Sequence, residues 1–235
     1  MCEFPGFKLQ SMPYRAAMSQ FDRFFDPSIV SLKICGVKTR EDADELAALG
    51  VEALGVNFWP QSKRYLSPED AFWLQGLAGK ILRVGVFVNE PPALPLRLVR
   101  EGLIDVVQLH GDETPENAAP FRDADVPFIK AIGVKTRADL LRAVDFGATA
   151  ILLDAHAPGV YGGTGEVFDW EVAAEFRREH PELPVILAGG IIPENTALAA
   201  LSVQPAALDI ASGAEISPGV KDFHKVAAFL AALHR

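Results

Sequence analysis

The side chains of this sequence that could do chemistry stand at the ends of short apolar runs. They are Cys35, Asn57, Asn89, His110 and Asp154, joined by two turns of small residues, Gly189-Gly190 and Ser212-Gly213. A thiol and a carboxyl exchange protons usefully at neutral pH only when their surroundings move them from ordinary pKa values of about 8.5 and about 3.9. The turns suit a different task. Leu187-Ala188-Gly189-Gly190 leads into Pro193-Glu194-Asn195, and Ile210-Ala211-Ser212-Gly213 closes the next apolar run, so backbone N–H groups and a helix N-terminus can approach a phosphate without a cationic side chain. A third glycine run, Gly162-Gly163-Thr164-Gly165, lies inside the long segment 155–169 and reads equally as a mobile flap or as another anion nest.

Global composition sets what those groups can serve. The net charge is −9, which repels nucleic acid and anionic membrane, so any anionic ligand must be held by local groups. Two cysteines, Cys2 and Cys35, make neither a disulfide framework nor a CxxC or zinc spacing, which points to a reducing, cytoplasmic setting. No apolar run reaches the roughly 20 residues that span a bilayer. Arg15, Asp22, Arg23 and Asp26 interrupt every candidate signal-peptide core.

Positioning those groups falls to a regular alternation that begins at Ile29. Short apolar runs at 29–35, 53–58, 81–88, 105–109, 128–132, 150–154, 185–188 and 207–210 read as strands. Amphipathic stretches at 40–49, 68–77, 94–101, 116–121, 138–146, 170–179, 194–201 and 222–233 read as helices between and after them. Eight such units predict a single (β/α)₈ barrel over 29–235, in the α/β class, with reacting groups at the carboxyl ends of the strands. A doubly wound sheet fits less well, because Cys35-Gly36-Val37-Lys38 offers one glycine where a dinucleotide turn needs several. Period-two alternation sends Lys33 inward if Cys35 points inward, with Leu32 and Ile34 facing the helices and Asp209 on the adjoining last strand as the lysine's expected partner. An internal echo, 33–40 against 130–137 at an offset of 97 residues, suggests two similar half-barrels in which Cys35 matches Ile132 and Asn57 matches Asp154. Residues 1–28 form an N-terminal extension, rich in Phe and Pro, for which we expect a short helix near 15–25 and aromatics packed on the outside of the domain. Met12 or Met18 could equally be the true start.

Several motifs stand in one order along 32–235. They are Lys33-Ile34-Cys35-Gly36, Pro60-Gln61-Ser62-Lys63-Arg64-Tyr65-Leu66-Ser67-Pro68, Arg83-Val84-Gly85-Val86-Phe87-Val88-Asn89 and Val107-Gln108-Leu109-His110-Gly111. Leu152-Leu153-Asp154, Tyr161-Gly162-Gly163-Thr164-Gly165 with Phe168-Asp169-Trp170, Leu187-Ala188-Gly189-Gly190, and Ser212-Gly213 through Ser217-Pro218-Gly219-Val220-Lys221-Asp222 follow. Together they resemble phosphoribosylanthranilate isomerase of tryptophan biosynthesis.

That resemblance implies an Amadori rearrangement of N-(5'-phosphoribosyl)anthranilate to 1-(2-carboxyphenylamino)-1-deoxyribulose 5-phosphate, with no cofactor and no metal. It implies Asp154 as the general acid for the furanose oxygen and Cys35 as the general base at C2'. Arg64 would bind the anthranilate carboxylate, for which a planar guanidinium offers two parallel hydrogen bonds. His110 and Gln108 would lie near the site, and Gly189, Gly190, Ser212 and Gly213 would border the substrate's phosphate. The expected partner is thus a phosphorylated small molecule, with neither nucleic acid nor membrane, and the expected state is monomer or homodimer. Two departures stand out: Ala211 replaces a usual serine beside the phosphate, and Val56-Asn57-Phe58 is less bulky than usual at the second strand end. Two other classes compete. A metal-dependent sugar-phosphate epimerase would need ligands absent from the strand ends, and a silent binding protein would have lost Cys35 or Asp154.

Overall fold

Alternating side chains set the layers, and β1 (Ser31–Cys35) is the clearest case. Leu32 and Ile34 join the core between the strands and the surrounding helices. Lys33 turns the other way, into the barrel, where Nζ lies 2.8 Å from Asp209 Oδ1. The same alternation continues through β2 (Ala53–Asn57), β3 (Leu82–Phe87), β4 (Val106–Leu109), β5 (Phe128–Val134), β6 (Ala150–Ala155), β7 (Val185–Leu187) and β8 (Ala207–Ile210). Each pairs with the next in parallel, and β1 pairs with β8 to close an eight-stranded barrel, with Lys33 opposite Asp209. This computed structural model describes residues 19–155 and 169–233. The Gly162-Gly163-Thr164-Gly165 run lies outside them. Among the described residues no helix is long and apolar enough to cross a membrane.

Most of the covering elements are α-helices: α2 (Arg40–Leu49), α3 (Ala93–Arg100), α4 (Pro115–Asp123), α5 (Trp170–Glu179), α6 (Thr196–Val203) and α7 (Phe223–Leu233). α2 has the full set of end signals: Thr39 accepts from the Asp42 N–H, and Gly50 ends the helix in the left-handed conformation. Two expected helices differ. The segment 68–77 forms 3₁₀ turns at Pro68–Asp70 and Phe72–Leu77, and 138–146 forms them at Arg137–Leu140 and Ala143–Phe146. Their buried residues explain this. Ala71, Leu74 and Leu77 recur every three residues, as do Leu140, Ala143 and Phe146. A repeat of three keeps them on one face of a three-residue turn and rotates them off one face of an α-helix. A further element was not anticipated: β9 (Glu215–Ser217) and β10 (Val220–Lys221) form an antiparallel hairpin directly after β8.

The N-terminal segment corrects a second expectation. α1 (Gln20–Phe24) begins at an N-cap, Ser19, that accepts from the Asp22 N–H. Phe24 does not pack on the outside of the domain. It is fully buried in one cluster with Ala53, Leu82, Val106, Ile129, Ala150, Ile186 and Ala207, the inward residues at the amino ends of the strands. Phe21 and Phe25 pack against the same cluster, so α1 plugs the barrel at the end opposite the strand tips. Phe24→Ala should therefore cost about 3–5 kcal/mol in urea unfolding, the scale for emptying a buried phenylalanine site. An unchanged unfolding midpoint would mean that the plug adds nothing.

Candidate active site

At the carboxyl ends of the strands lies an open cavity lined by side chains and turns from several strands. Cys35 enters it from β1, Asp154 from β6, His110 from the end of β4 and Arg64 from the loop after β2. Gly189-Gly190 and Ser212-Gly213 complete the wall beyond β7 and β8. All eight residues expected at a site thus meet in one space. Asn57 also lines it, whereas Asn89 serves the loops: its Oδ1 accepts from the Asp112 N–H at 2.8 Å.

Local structure accounts for each placement. The Arg64 loop is closed at its base where Asn57 bridges to Tyr65 and the Leu66 N–H donates to the Asn57 carbonyl at 2.9 Å. The β7 and β8 turns press on their neighbours. A Cβ on Gly189 would stand 2.9 Å from Asp154 Oδ1, and one on Gly213 would stand 2.2 Å from the Ile191 carbonyl oxygen. Glycine at these two positions lets the small-residue turns close over the cavity rim beside the carboxyl. Asn195 fastens the first turn from both ends, donating to the Gly190 carbonyl at 3.0 Å and accepting from the Ile192 N–H at 2.9 Å.

Asp154 is buried, with one oxygen hydrogen-bonded and the other beside a histidine. Oδ1 accepts from the Ala155 N–H at 2.9 Å, and Oδ2 faces His110 Nε2 at 3.5 Å. His110 is itself oriented from below by Gln108, fully buried in β4, whose Nε2 lies 2.7 Å from His110 Nδ1. With the amide donating to Nδ1, the imidazole proton sits on Nε2, the ring nitrogen nearer Asp154. Gln108 Oε1 has no hydrogen-bond partner.

Cys35 sits between opposed influences. Burial pushes its thiol above the ordinary value, Lys33 pulls it down, Asp209 pushes it up again and Lys221 pulls it down. Positive charge does reach the thiol, as sequence reasoning required for a base, but burial wins. Asp209, expected only as a counter-charge, also lines the cavity.

Arg64 presents its guanidinium with one edge already engaged. Glu215 accepts from Nε at 2.9 and 3.2 Å and from Nη2 at 2.7 Å, and this pairing raises the Arg64 pKa further. Lys221 donates to Glu215 at 2.8 Å and to the Cys35 carbonyl at 2.5 Å. Sequence reading singled out neither residue as functional. The signal was there: Pro218-Gly219 is a turn pair, and it sets Glu215 and Lys221 on facing strands. Among the described residues no group of three His, Cys, Asp or Glu is placed to hold a metal ion.

Fold and site together define a (β/α)₈ barrel of the kind that enzymes use, with a cavity at the carboxyl ends of its strands. Comparison with known proteins narrows the class. Residues 32–232 match the model of the N-(5'-phosphoribosyl)anthranilate (PRA) isomerase family. The isomerase of Trichlorobacter lovleyi is 39% identical over 204 residues, 86% of this chain and 97% of that one. That of Geobacter sulfurreducens is 41% identical over 204 residues, with the same two coverages, 86% and 97%. The solved phosphoribosyl anthranilate isomerase of Thermotoga maritima superposes with a TM-score of 0.79 at 37% identity, covering 88% of this chain and 99% of that one. Another solved isomerase, in complex with reduced 1-(o-carboxyphenylamino)-1-deoxyribulose 5-phosphate, gives 0.75 at 36% identity with the same coverage, 88% and 99%. The chain belongs to the phosphoribosylanthranilate isomerase family, isomerases of tryptophan biosynthesis.

The charge balance at Cys35 is testable directly. In a Cys2→Ser background, the ultraviolet thiolate absorbance that disappears on Cys35→Ser should titrate above the ordinary thiol value of about 8.5. A midpoint below that value would show that Lys33 and Lys221 outweigh burial.

Proposed function

We propose that this enzyme rearranges N-(5'-phosphoribosyl)anthranilate with Asp154 as general acid and Cys35 as general base. The observation that carries the reading is the convergence of this carboxyl and this thiol, from β6 and β1, on one cavity that Arg64 also enters. Protonation of the furanose oxygen by Asp154 lets the C1'–O bond break as the anilino nitrogen lone pair forms a C=N bond. The Cys35 thiolate then removes the C2' proton, its electron pair neutralises the iminium, and the resulting enolamine tautomerises to the 2-ketose. No electron leaves the substrate, so the reaction needs neither oxidant nor reductant.

The remaining groups bind. The free edge of Arg64 takes the anthranilate carboxylate, and the backbone of Gly189, Gly190, Ser212 and Gly213 borders the phosphate, with Ala211 supplying no hydroxyl there. His110, directed by Gln108, stands beside Asp154 and limits where its carboxyl can point. Because burial holds the proton on the thiol, only a minority is thiolate at neutral pH, and the base becomes more available as pH rises. Every group invoked comes from one chain, so monomer and homodimer serve equally. We place the reaction in the cytoplasm, where Cys35 stays reduced.

Asp154→Asn and Cys35→Ser should each lower kcat by about a hundredfold or more, the scale of general acid–base catalysis. The assay is loss of phosphoribosylanthranilate fluorescence. Unchanged rates in both variants would sink the mechanism.

A further inference from the structure

The acid–base scheme leaves one buried charged assembly without a task. Glu215, at the start of the β9–β10 hairpin, is 5% exposed and occupies the Nε–Nη2 edge of Arg64 with three contacts of 2.7 to 3.2 Å. A guanidinium has five N–H groups in a fixed plane. With that edge taken, the Nη1–Nη2 edge still has one N–H on each nitrogen lying parallel, the arrangement that receives a second carboxylate. The direction in which this free edge faces is therefore set by Glu215.

Glu215 is itself held firmly. Its Oε1 accepts from the Gly219 N–H at 3.1 Å and from Lys221 Nζ at 2.8 Å. Lys221 in turn donates to the Cys35 carbonyl, so the hairpin is tied to the end of β1 that carries the thiol. From the other side Gly36, at φ 77°, brings backbone close under the arginine; a Cβ there would stand 2.3 Å from Arg64 Cδ. By its charge alone Glu215 opposes an anionic substrate. Lys221 answers that: Arg64, Glu215 and Lys221 together keep one net positive charge beside the cavity.

We propose that Glu215 is a positioning residue for specificity, aiming the free edge of Arg64 at the substrate's aromatic carboxylate. This rests on the reading of Arg64 given above. A purely structural ion pair would affect all substrates alike, whereas an aiming role affects only those that carry the carboxylate.

The test compares phosphoribosylanthranilate with the phosphoribosyl adduct of aniline, which lacks that carboxylate, with product measured by chromatography. Glu215→Gln should raise KM for phosphoribosylanthranilate more than it lowers kcat. It should also reduce the ratio of kcat/KM for the two substrates by about tenfold, the worth of one misdirected charge-assisted hydrogen bond. Glu215→Asp, which keeps the charge with a shorter reach, should recover part of that ratio, and it carries the test if the glutamine variant does not fold. Equal losses on both substrates in Glu215→Asp, or no change in the ratio in either variant, would overturn the proposal. Arg64→Ala separates the two layers of the argument. If it loses both substrates equally, the reading of Arg64 falls and the proposal with it; if it is selective while the Glu215 variants are not, the proposal alone falls.

Discussion

The ion pair between Lys33 and Asp209 lies on the seam where the first and last strands meet, and the geometry of the site depends on it. The two side chains are 0% and 7% exposed. Burial alone would strip Lys33 of its proton, but the carboxylate of Asp209, through its charge and its hydrogen bond, opposes burial and the pKa is raised, so the lysine stays charged. Taking away one partner of such a pair leaves an uncompensated charge in the interior, at a cost of about 3–5 kcal/mol. The pair also fixes phase. Slipping β1 by one residue would turn Leu32 and Ile34 into the barrel and send Lys33 and Cys35 among the helices. Register at the seam and orientation of the thiol are thus one constraint.

That constraint explains how a chain with net charge −9 can handle an anionic substrate. Positive charge is concentrated where side chains are buried and paired: Lys33 with Asp209, Lys221 and Arg64 with Glu215. Burial works against the Glu215 charge, yet Arg64 and Lys221 hold its carboxyl below the usual range. Burial also lowers the Lys221 pKa against the pull of Glu215. Each charge is therefore kept by its neighbour rather than by solvent. Such pairs are screened by salt far less than surface pairs such as Arg40–Asp44.

The strand pattern was legible because alternation is local: the period-two alternation of side-chain direction in 31–35 placed Lys33 and Cys35 on one face and even named Asp209. The eight candidate residues were named through family resemblance, and strand ends and the loops that follow them bring all eight to one cavity. What escaped was of other kinds. A three-residue repeat of buried positions, as in Ala71, Leu74 and Leu77, looks like an amphipathic helix over so short a span. The Phe24 plug depends on joining a cluster built from residues of seven strands, which no local pattern in 19–28 encodes. Glu215 and Lys221 are charged residues in a turn-rich stretch, the composition of a solvated loop, and only their tertiary partners make them buried.

The internal echo shows how far a sequence repeat can be trusted as a structural one. At an offset of 97, Asn57 matches Asp154, and both enter the cavity, so β2 and β6 are in phase. The first pair of strands is not. Lys33 matches Lys130, yet Lys130 turns outward, donating to Glu113 at 2.7 Å and lying 5.6 Å over the Phe146 ring, while its neighbours Ile129 and Ala131 face the interior. Ile132, the match of Cys35, packs against the outer core. The glycines diverge as well: Gly36 takes positive φ and ends β1 beneath Arg64, whereas Gly133 continues β5 and pairs with Asp154. Similar residues thus do different work in the two halves. The first copy carries the thiol, and the second extends the strand that braces the carboxyl.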